Sequence, residues 1–389
     1  MNTQRTYRMM LAATIIMLLA EGLAPAYHYY ICKNNDKKVV WPDKVLRWRA
    51  GKNSFKSGSG WRDALESANG RWNQAPGRFT FGIRNWGEKY VSRGNSQNEI
   101  WFTNKQSKLD GAPATCYRRA RCIGNTAKWL EKDILFDAKR NWSYALNMDT
   151  KVAYGGNWRQ WHSTALHEMG HALGLAHTNN TYNIMGSDQT HLHANNGKVR
   201  FYPGEDGGNG EVFLYGKTHN SKPNDLGVSH WKYGDKEGEY SVHWWTHLYT
   251  SDGDDLAPNE EISEGKYRYL VKPGVIYKAQ FTFENNGYYD KSNVKTAWYL
   301  STNRKITTKD RRLRTGTLTL NRNKVYTAKH NIRIPFDVGV GEVYYVGVIV
   351  DYTNDITEFS GVNNATHLPI PVRVVGGGII TTNAIGQLP

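Results

Sequence analysis

The feature that most constrains the fold is a short segment rich in histidine, HEMGHALGLAH, which spans residues 167–177. His167 and His171 are four residues apart, so on an α-helix they lie on the same face, about 6 Å apart along the axis. Gly174 is suited to end such a helix, because glycine adopts left-handed backbone conformations without a Cβ clash. The chain can then turn back and bring His177 beside the other two imidazoles. The segment therefore predicts a helix over about residues 160–173 that carries a metal site.

Glu168 lies next to the first of these histidines and outside the predicted ligand set. Three neutral imidazoles leave one position of a tetrahedral zinc ion open to water, which is typical of catalytic zinc sites. A carboxylate beside that position can take a proton from the water. The pattern predicts a hydrolytic centre in which Glu168 is the general base. The alternatives are a surface helix with coincidental histidines and a degenerate, metal-free relative.

The same segment resembles the extended zinc motif of the metzincin metallopeptidases, HExxHxxGxxH followed by a Met-turn. The Met-turn would be residues 183–186 (NIMG), with Met185 as an apolar floor under the metal. Within the metzincins the chain is most similar to matrixin-type members, particularly secreted bacterial ones. Residues 61–81 resemble their first helix and next strand, and residues 133–137 resemble the strand before the active-site helix. Ser187 stands where astacin-like members place a tyrosine ligand, which disfavours that variant.

The resemblance implies a zinc-dependent endopeptidase with one catalytic zinc ion and with protein or peptide substrates. His167, His171 and His177 would hold the zinc, and the substrate would lie extended along the cleft and pair with an edge strand. Two other functions stay open: a non-enzymatic surface adhesin that works through a C-terminal domain, and a zinc amidase that acts on cell-wall peptide. The presence of Glu168 argues against the adhesin, because a relic has no use for the base.

The structural zinc and calcium sequences of the matrixins are not recognisable here, so the resemblance implies no structural ion. Residues 204–211 (GEDGGNGE) could hold Ca²⁺ through carboxylate oxygens, and a solvated turn is the competing interpretation. His162, His191 and His193 flank the motif at spacings that do not fit the ligand set. We expect these three to be surface or cleft residues.

The N-terminus is typical of a secretory signal peptide over residues 1–26. Arg5 and Arg8 precede an uncharged run over residues 9–20, and small residues lead to a cleavage site after Ala26. The run is short for a transmembrane span, and an uncleaved anchor is the alternative. We therefore expect a secreted or extracellular protein, with the periplasm or the cell surface as further locations.

Three cysteines follow the predicted cleavage site. In an oxidising compartment Cys116 and Cys122, which are close in sequence, are expected to form a disulfide that leaves Cys32 unpaired. Cys32 lacks the surroundings of the matrixin latency motif, because the local sequence is YICKN. We therefore expect no inhibition of the zinc site by this thiol.

Before residue 262, helical and strand-like patterns alternate. A 3.6-residue period over residues 61–72 predicts an amphipathic helix that Ser59 could cap. Short apolar runs predict strands at residues 44–48, 99–103 and 133–136. The basic cluster Arg118, Arg119 and Arg121 is either a solvated loop or a rim that contacts substrate. The region 27–262 is thus predicted to be an α+β metzincin-type domain, a twisted mixed sheet with an active-site helix.

After residue 262 the pattern changes. Of the 14 tryptophans only Trp298 follows this point, and apolar residues alternate with polar ones over residues 275–284, 294–300, 326–334 and 368–374. Pro369 and Pro371 predict that the last of these strands lies at an edge. About seven short strands predict an antiparallel, immunoglobulin-like β-sandwich over residues 263–375, followed by a tail over 376–389.

The sandwich region resembles the CARDB-type modules of bacterial extracellular enzymes, in Tyr299, Asp310, Asp351, Glu358 and the pair at 363–364. The resemblance implies adhesion or substrate targeting, and a stabilising appendage is the alternative. The formal net charge of +15 makes the surface cationic. Such a surface favours contact with an anionic surface or polysaccharide, and for an exported peptidase we expect no nucleic-acid partner.

Overall fold

The structure is a computed structural model. It describes residues 19–22, 28–178, 183–186, 191–218, 224–231, 236–237, 242–243, 245–322 and 324–376. Most of the predicted signal peptide, Ser187 and nearly all of the predicted tail lie outside these residues. Within the described ranges, every helix is too short or too polar to span a bilayer.

The N-terminal domain is built around one mixed sheet and two packed helices. Its elements are β1 (Leu19–Gly22), β2 (Tyr29–Cys32), β3 (Lys37–Lys38), β4 (Val45–Gly51), α1 (Gly60–Gln74), β5 (Thr80–Glu88), β6 (Glu99–Thr103), β7 (Ala114–Ile123), β8 (Thr126–Asp137), β9 (Trp142–Ser143), β10 (Arg159–Gln160) and α2 (Trp161–Leu173).

The mixed sheet has the order β5-β4-β6-β8-β7. The first four strands are parallel neighbours, whereas β7 pairs antiparallel with β8 and forms an edge. One hydrophobic cluster joins this sheet to α1 and α2. The α+β prediction is confirmed, and β7, the edge strand, lies beside α2.

The predicted helix over residues 61–72 is α1, and its predicted apolar side chains are buried apart from Trp61, which is half-buried. Ser59 occupies the position before the helix, as predicted. Its hydroxyl, however, donates to the carbonyl of Lys56 at 2.7 Å rather than capping α1.

The rest of the chain is mainly β-structure. Its elements are β11 (His193–Asn195), β12 (Lys198–Arg200), α3 (Gly204–Tyr215), β13 (Leu226–Val228), β14 (Lys236–Glu237), β15 (Val242–His243), β16 (Leu248–Tyr249), β17 (Glu260–Ser263), β18 (Lys266–Val271), β19 (Ile276–Asn285), β20 (Lys291–Ser301), β21 (Arg311–Leu320), β22 (Lys324–Arg333), β23 (Val343–Val350), β24 (Ala365–His367) and β25 (Val372–Val374).

Two sheets enclose the second core, as predicted for a β-sandwich. One has the order β17-β18-β25-β23-β20-β21, with β24 also paired to β23. The other is centred on β19, which pairs with β22, β13 and β16. Alternate side chains of these strands form one buried hydrophobic cluster.

The sandwich begins before the predicted boundary at residue 262. The strands β13 and β16 pair with β19, and Leu226, Val228 and Leu248 are buried in the sandwich core. The second core thus includes chain from residue 226 onwards, so the sandwich extends well before the boundary that the sequence predicted at residue 262. Tryptophan content could not reveal this, because pairing with β19 joins segments that are distant in sequence.

The last strand of the sandwich is also placed differently from the prediction. β25 lies between β18 and β23, in the interior of its sheet. Pro369 and Pro371 precede the strand, so they remove no donor from its ladder. The carbonyl of Pro371 accepts the backbone N–H of Tyr269 at 3.0 Å.

The predicted disulfide between Cys116 and Cys122 is wrong. Cys32 forms the bond with Cys122, with their Cα atoms 5.6 Å apart, and Cys116 is a free cysteine. Cys116 and Cys122 both lie on β7, and six residues of extended strand separate them by about 20 Å. A disulfide needs Cα atoms within about 7 Å, which β2 achieves at the end of β7.

The predicted calcium segment is neither a calcium loop nor a solvated turn. Residues 204–211 form the first turns of α3, and Glu205, Asp206 and Glu211 are buried. Glu211 Oε1 accepts the backbone N–H of Phe79 at 3.0 Å, and Asp206 accepts the side-chain amide of Asn183. These two carboxylates therefore connect α3 to neighbouring segments.

Loss of the Cys32–Cys122 bond should destabilise the protein. The bond closes a loop of 90 residues, so Cys122→Ser should lower the free energy of unfolding by about 3–5 kcal/mol. Cys116→Ser is the control and should change it by less than about 1 kcal/mol. Thiol counting on the denatured, non-reduced chain should find one thiol, at Cys116. Three free thiols in the wild type, or a single free thiol at Cys32, would contradict the assignment.

Asp225, just before β13, should make stability depend on pH. Its Oδ1 accepts the side-chain amide of Asn363 at 3.1 Å. Burial raises the pKa of this carboxyl from 3.8 to about 7, the Asn363 hydrogen bond opposes the rise, and Glu358 adds to it. Between these two pKa values the folded state binds more protons than the unfolded state, so this contribution to stability falls as pH rises.

Asp225→Asn mimics the protonated acid and should remove this dependence. The variant should gain stability over the wild type by up to about 1.4 kcal/mol per pH unit between about pH 4 and 7, with a constant difference above pH 7. Urea unfolding of both proteins at pH 4.5, 6 and 8 measures the difference. A difference that shrinks as pH rises would contradict the assignment.

Candidate metal centre

The histidine motif lies on α2, and every residue of this helix except His162 is buried. Gly174 follows its last turn with φ +123°, in the positive region that only glycine adopts without strain. The Gly174 N–H donates to the carbonyls of Gly170 and His171, at 3.1 and 3.2 Å. A Cβ at this position would also press on the side chains of Trp129 and Leu214. The structure thus ends the helix where the sequence predicted.

The C-terminus of α2 is held by side chains from three other segments. The last carbonyls of a helix have no partner within the helix, and burial without one is costly. The Lys132 ammonium donates to the carbonyl of His171 at 2.7 Å, and the Trp41 indole donates to that of Ala172 at 2.9 Å. The Tyr215 hydroxyl donates to the carbonyl of Leu173. Sequence analysis did not identify these residues, because only the tertiary fold brings them to the helix end.

Three imidazoles converge beside this helix end. His177 Nε2 lies 3.1 Å from His167 Nε2 and 3.0 Å from His171 Nε2. The Nδ1 atom of His167 donates to the carbonyl of Ile184 at 2.7 Å, and that of His171 donates to the carbonyl of Leu175 at 2.8 Å. A carbonyl only accepts, so each Nδ1 carries the proton and each Nε2 presents a lone pair to the shared centre.

This donor set fits a zinc ion. Zinc–nitrogen bonds of about 2.0–2.1 Å at tetrahedral angles place ligand nitrogens roughly 3.3 Å apart, close to the spacing found here. Burial lowers the pKa of His167 to about 3 and that of His171 well below its usual value. Both imidazoles are therefore neutral, which is the form that binds metal.

The chain that leaves α2 is positioned by the N-terminal segment. The carbonyl of Gly174 accepts the N–H of Tyr30 at 3.2 Å, and the N–H of Ala176 donates to the carbonyl of His28 at 2.8 Å. These bonds orient the turn that delivers His177 to the other two histidines. Because His28 and Tyr30 lie far upstream, no pattern near the motif indicated this support.

The Met-turn at residues 183–186 packs against α2 beside the histidine cluster. The N–H of Met185 donates to Asn183 Oδ1 at 2.9 Å, and its carbonyl accepts the N–H of Thr178 at 3.1 Å. Met185 is fully buried, and its sulfur occupies the space where a Cβ of Gly170 would lie. The turn therefore fixes Ile184, whose carbonyl holds His167, and it packs directly against α2.

Glu168 is buried between α2 and β7. The backbone of Cys116, on β7, hydrogen-bonds its carboxylate. Burial raises the pKa of Glu168 to about 8, and the Cys116 hydrogen bond and the charge of Arg159 oppose this rise. A carboxylate that holds a proton near neutral pH is suited to acid–base work. The same contact places Glu168 at the edge strand of the sheet.

Other residues that the sequence singled out lie elsewhere. The arginine cluster lies on β7 and is not a loop: Arg118 donates to the Tyr30 hydroxyl at 3.0 Å, and Arg119 lies 3.6 Å from the Glu131 carboxylate. His162 is half-buried, with its Nδ1 3.2 Å from Gln160 Nε2. The expectation of surface positions is wrong for His191 and His193, which are buried against Glu284.

The fold and the histidine cluster are similar to those of the metzincin class of peptidases. Residues 41–201 match the model of one particular peptidase family, the matrixins. The N-terminal domain is thus matrixin-like, as the motif predicted, and the match supports zinc metallopeptidase activity.

No curated protein matches the chain. Among solved structures, the crystal structure of a CARDB domain from Pyrococcus furiosus, in complex with di-metal ions, is 15% identical. It matches over 41% of this chain and 95% of that chain, with a TM-score of 0.24. A solution structure of a domain from Methanosarcina acetivorans is 15% identical, over 34% and 93% of the two chains, with a TM-score of 0.19. The strand pairing within this chain itself defines the sandwich.

Two mid-helix glycines offer a test of the Met-turn packing. Gly170→Ala should push Met185 away from α2 and lower the free energy of unfolding by about 1–3 kcal/mol. Gly70→Ala, on α1, is the matched control, because nothing lies within 4 Å of its Cβ. It should stabilise the protein by about 0.5–1 kcal/mol. Equal effects of the two substitutions in urea unfolding would contradict the packing.

Proposed function

We propose that the protein is a secreted zinc endopeptidase that hydrolyses peptide bonds in protein substrates. The observation that carries this proposal is the convergence of three imidazole Nε2 atoms at a helix that also carries a buried carboxylate, which is hydrogen-bonded to an edge strand. The matrixin match over residues 41–201 supports the reaction class. Export is supported by the signal-like N-terminus and by the Cys32–Cys122 disulfide, since such bonds persist in oxidising compartments.

His167, His171 and His177 would hold the zinc ion. When bound, zinc supplies Lewis-acid polarisation of the scissile carbonyl and acidifies a water molecule. The carbonyls of Ile184 and Leu175 keep the two helical imidazoles in the tautomer that binds metal. Such outer hydrogen bonds fix the orientation of the rings before substrate arrives.

Glu168 would move the proton. Its carboxylate takes a proton from the attacking water and passes it to the leaving amine, so it serves first as base and then as acid. The buried surroundings make the protonated form accessible near neutral pH, as the raised pKa indicates. The Cys116 backbone hydrogen bond holds the carboxylate in place between the two transfers.

The edge strand β7 is our candidate for substrate binding. It runs beside α2, and the backbone of Cys116 reaches Glu168 directly. An extended peptide that pairs with this edge would pass across the zinc centre, as in β-augmentation. The sequence predicted pairing with an edge strand without locating it, and we now assign it to β7.

No cysteine-based latency is proposed. The Cys32 sulfur is bonded to Cys122 and presents no thiolate to zinc. Cys116 is the free cysteine, and burial raises the pKa of its thiol to about 12. The protein should therefore be active without removal of a segment beyond the signal peptide.

Substitution of Glu168 tests the mechanism. Glu168→Gln should reduce kcat by about 10²–10⁴-fold or more, because the variant cannot carry the proton, while its zinc content equals that of the wild type. Glu66→Gln, an exposed change on α1, is the control and should leave kcat unchanged. Peptide hydrolysis assays and elemental analysis give the two readouts. Half or more of the wild-type kcat in Glu168→Gln would overturn the assignment.

Digestion with and without a chelator separates this function from the alternatives. An endopeptidase should cleave a mixture of unfolded proteins, lose that activity with chelator and regain it with zinc. Cleavage of cell-wall peptides alone would identify the amidase. Failure to cleave either substrate by a folded, zinc-loaded protein would favour the adhesin.

A further inference from the structure

His191, His193 and Glu284 form a second cluster of metal-ligating side chains, away from α2. One ligand atom of each lies within 4.8 Å of the other two, and all three residues are buried. The Glu284 carboxylate oxygens lie 3.1 and 3.0 Å from His191 Nε2, and one of them lies 3.6 Å from His193 Nε2. No residue of this cluster takes part in the site described above.

Both imidazoles of the cluster have the tautomer of a metal ligand. His191 Nδ1 donates to the carbonyl of Tyr202 at 3.1 Å, and His193 Nδ1 donates to the carbonyl of Val228. Each Nδ1 therefore carries the proton, and each Nε2 faces the carboxylate. His167 and His171 use the same arrangement, with backbone carbonyls on Nδ1.

When both imidazoles are neutral, the two Nε2 atoms and the carboxylate are all acceptors, so they do not satisfy one another. A proton on His191 Nε2 would form one ion pair with Glu284. That proton would still leave His193 Nε2 unsatisfied. This atom has no hydrogen-bond partner among the described residues, although His193 is only 2% exposed. A divalent cation between the three groups accepts a lone pair from each of them, which removes this deficit.

Two glycines leave room for the imidazole rings of His191 and His193. A Cβ on Gly227 would lie 2.8 Å from His193 Cε1, and a Cβ on Gly204 would lie 3.0 Å from His191 Nε2. Gly204 also has φ +74°, a conformation that favours glycine. Glycines at these two positions thus form a cradle that a side chain would fill.

The local charge suits a divalent ion. Glu205 is buried near His191 and attracts positive charge there. Together with Glu284 it supplies two carboxylates around two imidazoles. A 2+ ion balances these charges, and imidazole with carboxylate is a donor set that zinc accepts.

We propose that His191, His193 and Glu284 bind a second zinc ion, which joins the N-terminal domain to the β-sandwich. His193 lies on β11 and His191 just before it, both within the segment that matches the matrixins, and Glu284 lies on β19 of the sandwich. The ion would thus bridge the two domains at their junction. A hydrogen bond also joins them, in which the Thr366 hydroxyl of β24 donates to the carbonyl of Ala194 at 2.7 Å. Its role is structural, because the residues around it are buried.

Zinc counting on full-length protein tests the proposal. The protein is purified without a histidine tag, dialysed against metal-free buffer and measured by elemental analysis. The wild type should hold two zinc ions per chain. His171→Ala removes the catalytic site only and should hold one. One ion in the wild type and none in folded His171→Ala would overturn the second site, whether or not the protein is a peptidase.

A variant of the cluster should lose the second zinc ion and keep the catalytic one. Glu284→Gln should hold one zinc ion and keep zinc-dependent peptide cleavage, which also reports that the N-terminal domain is folded. Glu264→Gln, an exposed control, should hold two. In the His171→Ala background, chelator should lower the Tm by several degrees, and adding Glu284→Gln should abolish that effect. Two ions in Glu284→Gln, or no chelator effect in His171→Ala, would contradict the assignment.

Discussion

The structure depends on the burial of the C-terminal end of α2. A helix that ends inside a protein exposes carbonyls which must find donors elsewhere. Here Lys132, Trp41 and Tyr215 supply those donors from β8, from the segment before β4 and from α3. The sheet, the N-terminal segment and α3 are thereby fixed around one helix end, which is also where the imidazoles of His167, His171 and His177 meet.

Backbone carbonyls also orient the metal ligands. Four buried histidines donate Nδ1–H to a carbonyl and direct Nε2 to a shared centre, two at α2 and two at the junction with the sandwich. The tautomer of each ring is thus set by backbone geometry before any ion binds. A carboxylate accompanies each pair, Glu168 as the proposed base and Glu284 as a proposed ligand.

Acidic side chains also hold the Met-turn, α3 and the first strand of the sandwich in place. Asp206 holds Asn183 of the Met-turn, and Glu211 holds the backbone of Phe79. Glu358 accepts the N–H of Leu226 and the side-chain amide of Asn364 at the start of the sandwich. Carboxylates that look like a calcium loop or a solvated turn in sequence therefore act as hydrogen-bond acceptors within the fold.

Local spacing along the chain was sufficient to predict several features of this protein. Helical periodicity located α1, and the histidine segment with Gly174 located α2. Alternation located the long strands of the sandwich, and the spacing of His167, His171 and His177 predicted the cluster that the structure assembles. Other features became visible only in the folded chain: the partner of Cys122, the interior position of β25, the start of the sandwich at β13 and the burial of His191 and His193. Each of these depends on contacts between segments that are distant in sequence. Spacing along the chain carries information about neighbours on one element, whereas packing of separate elements decides which distant groups meet.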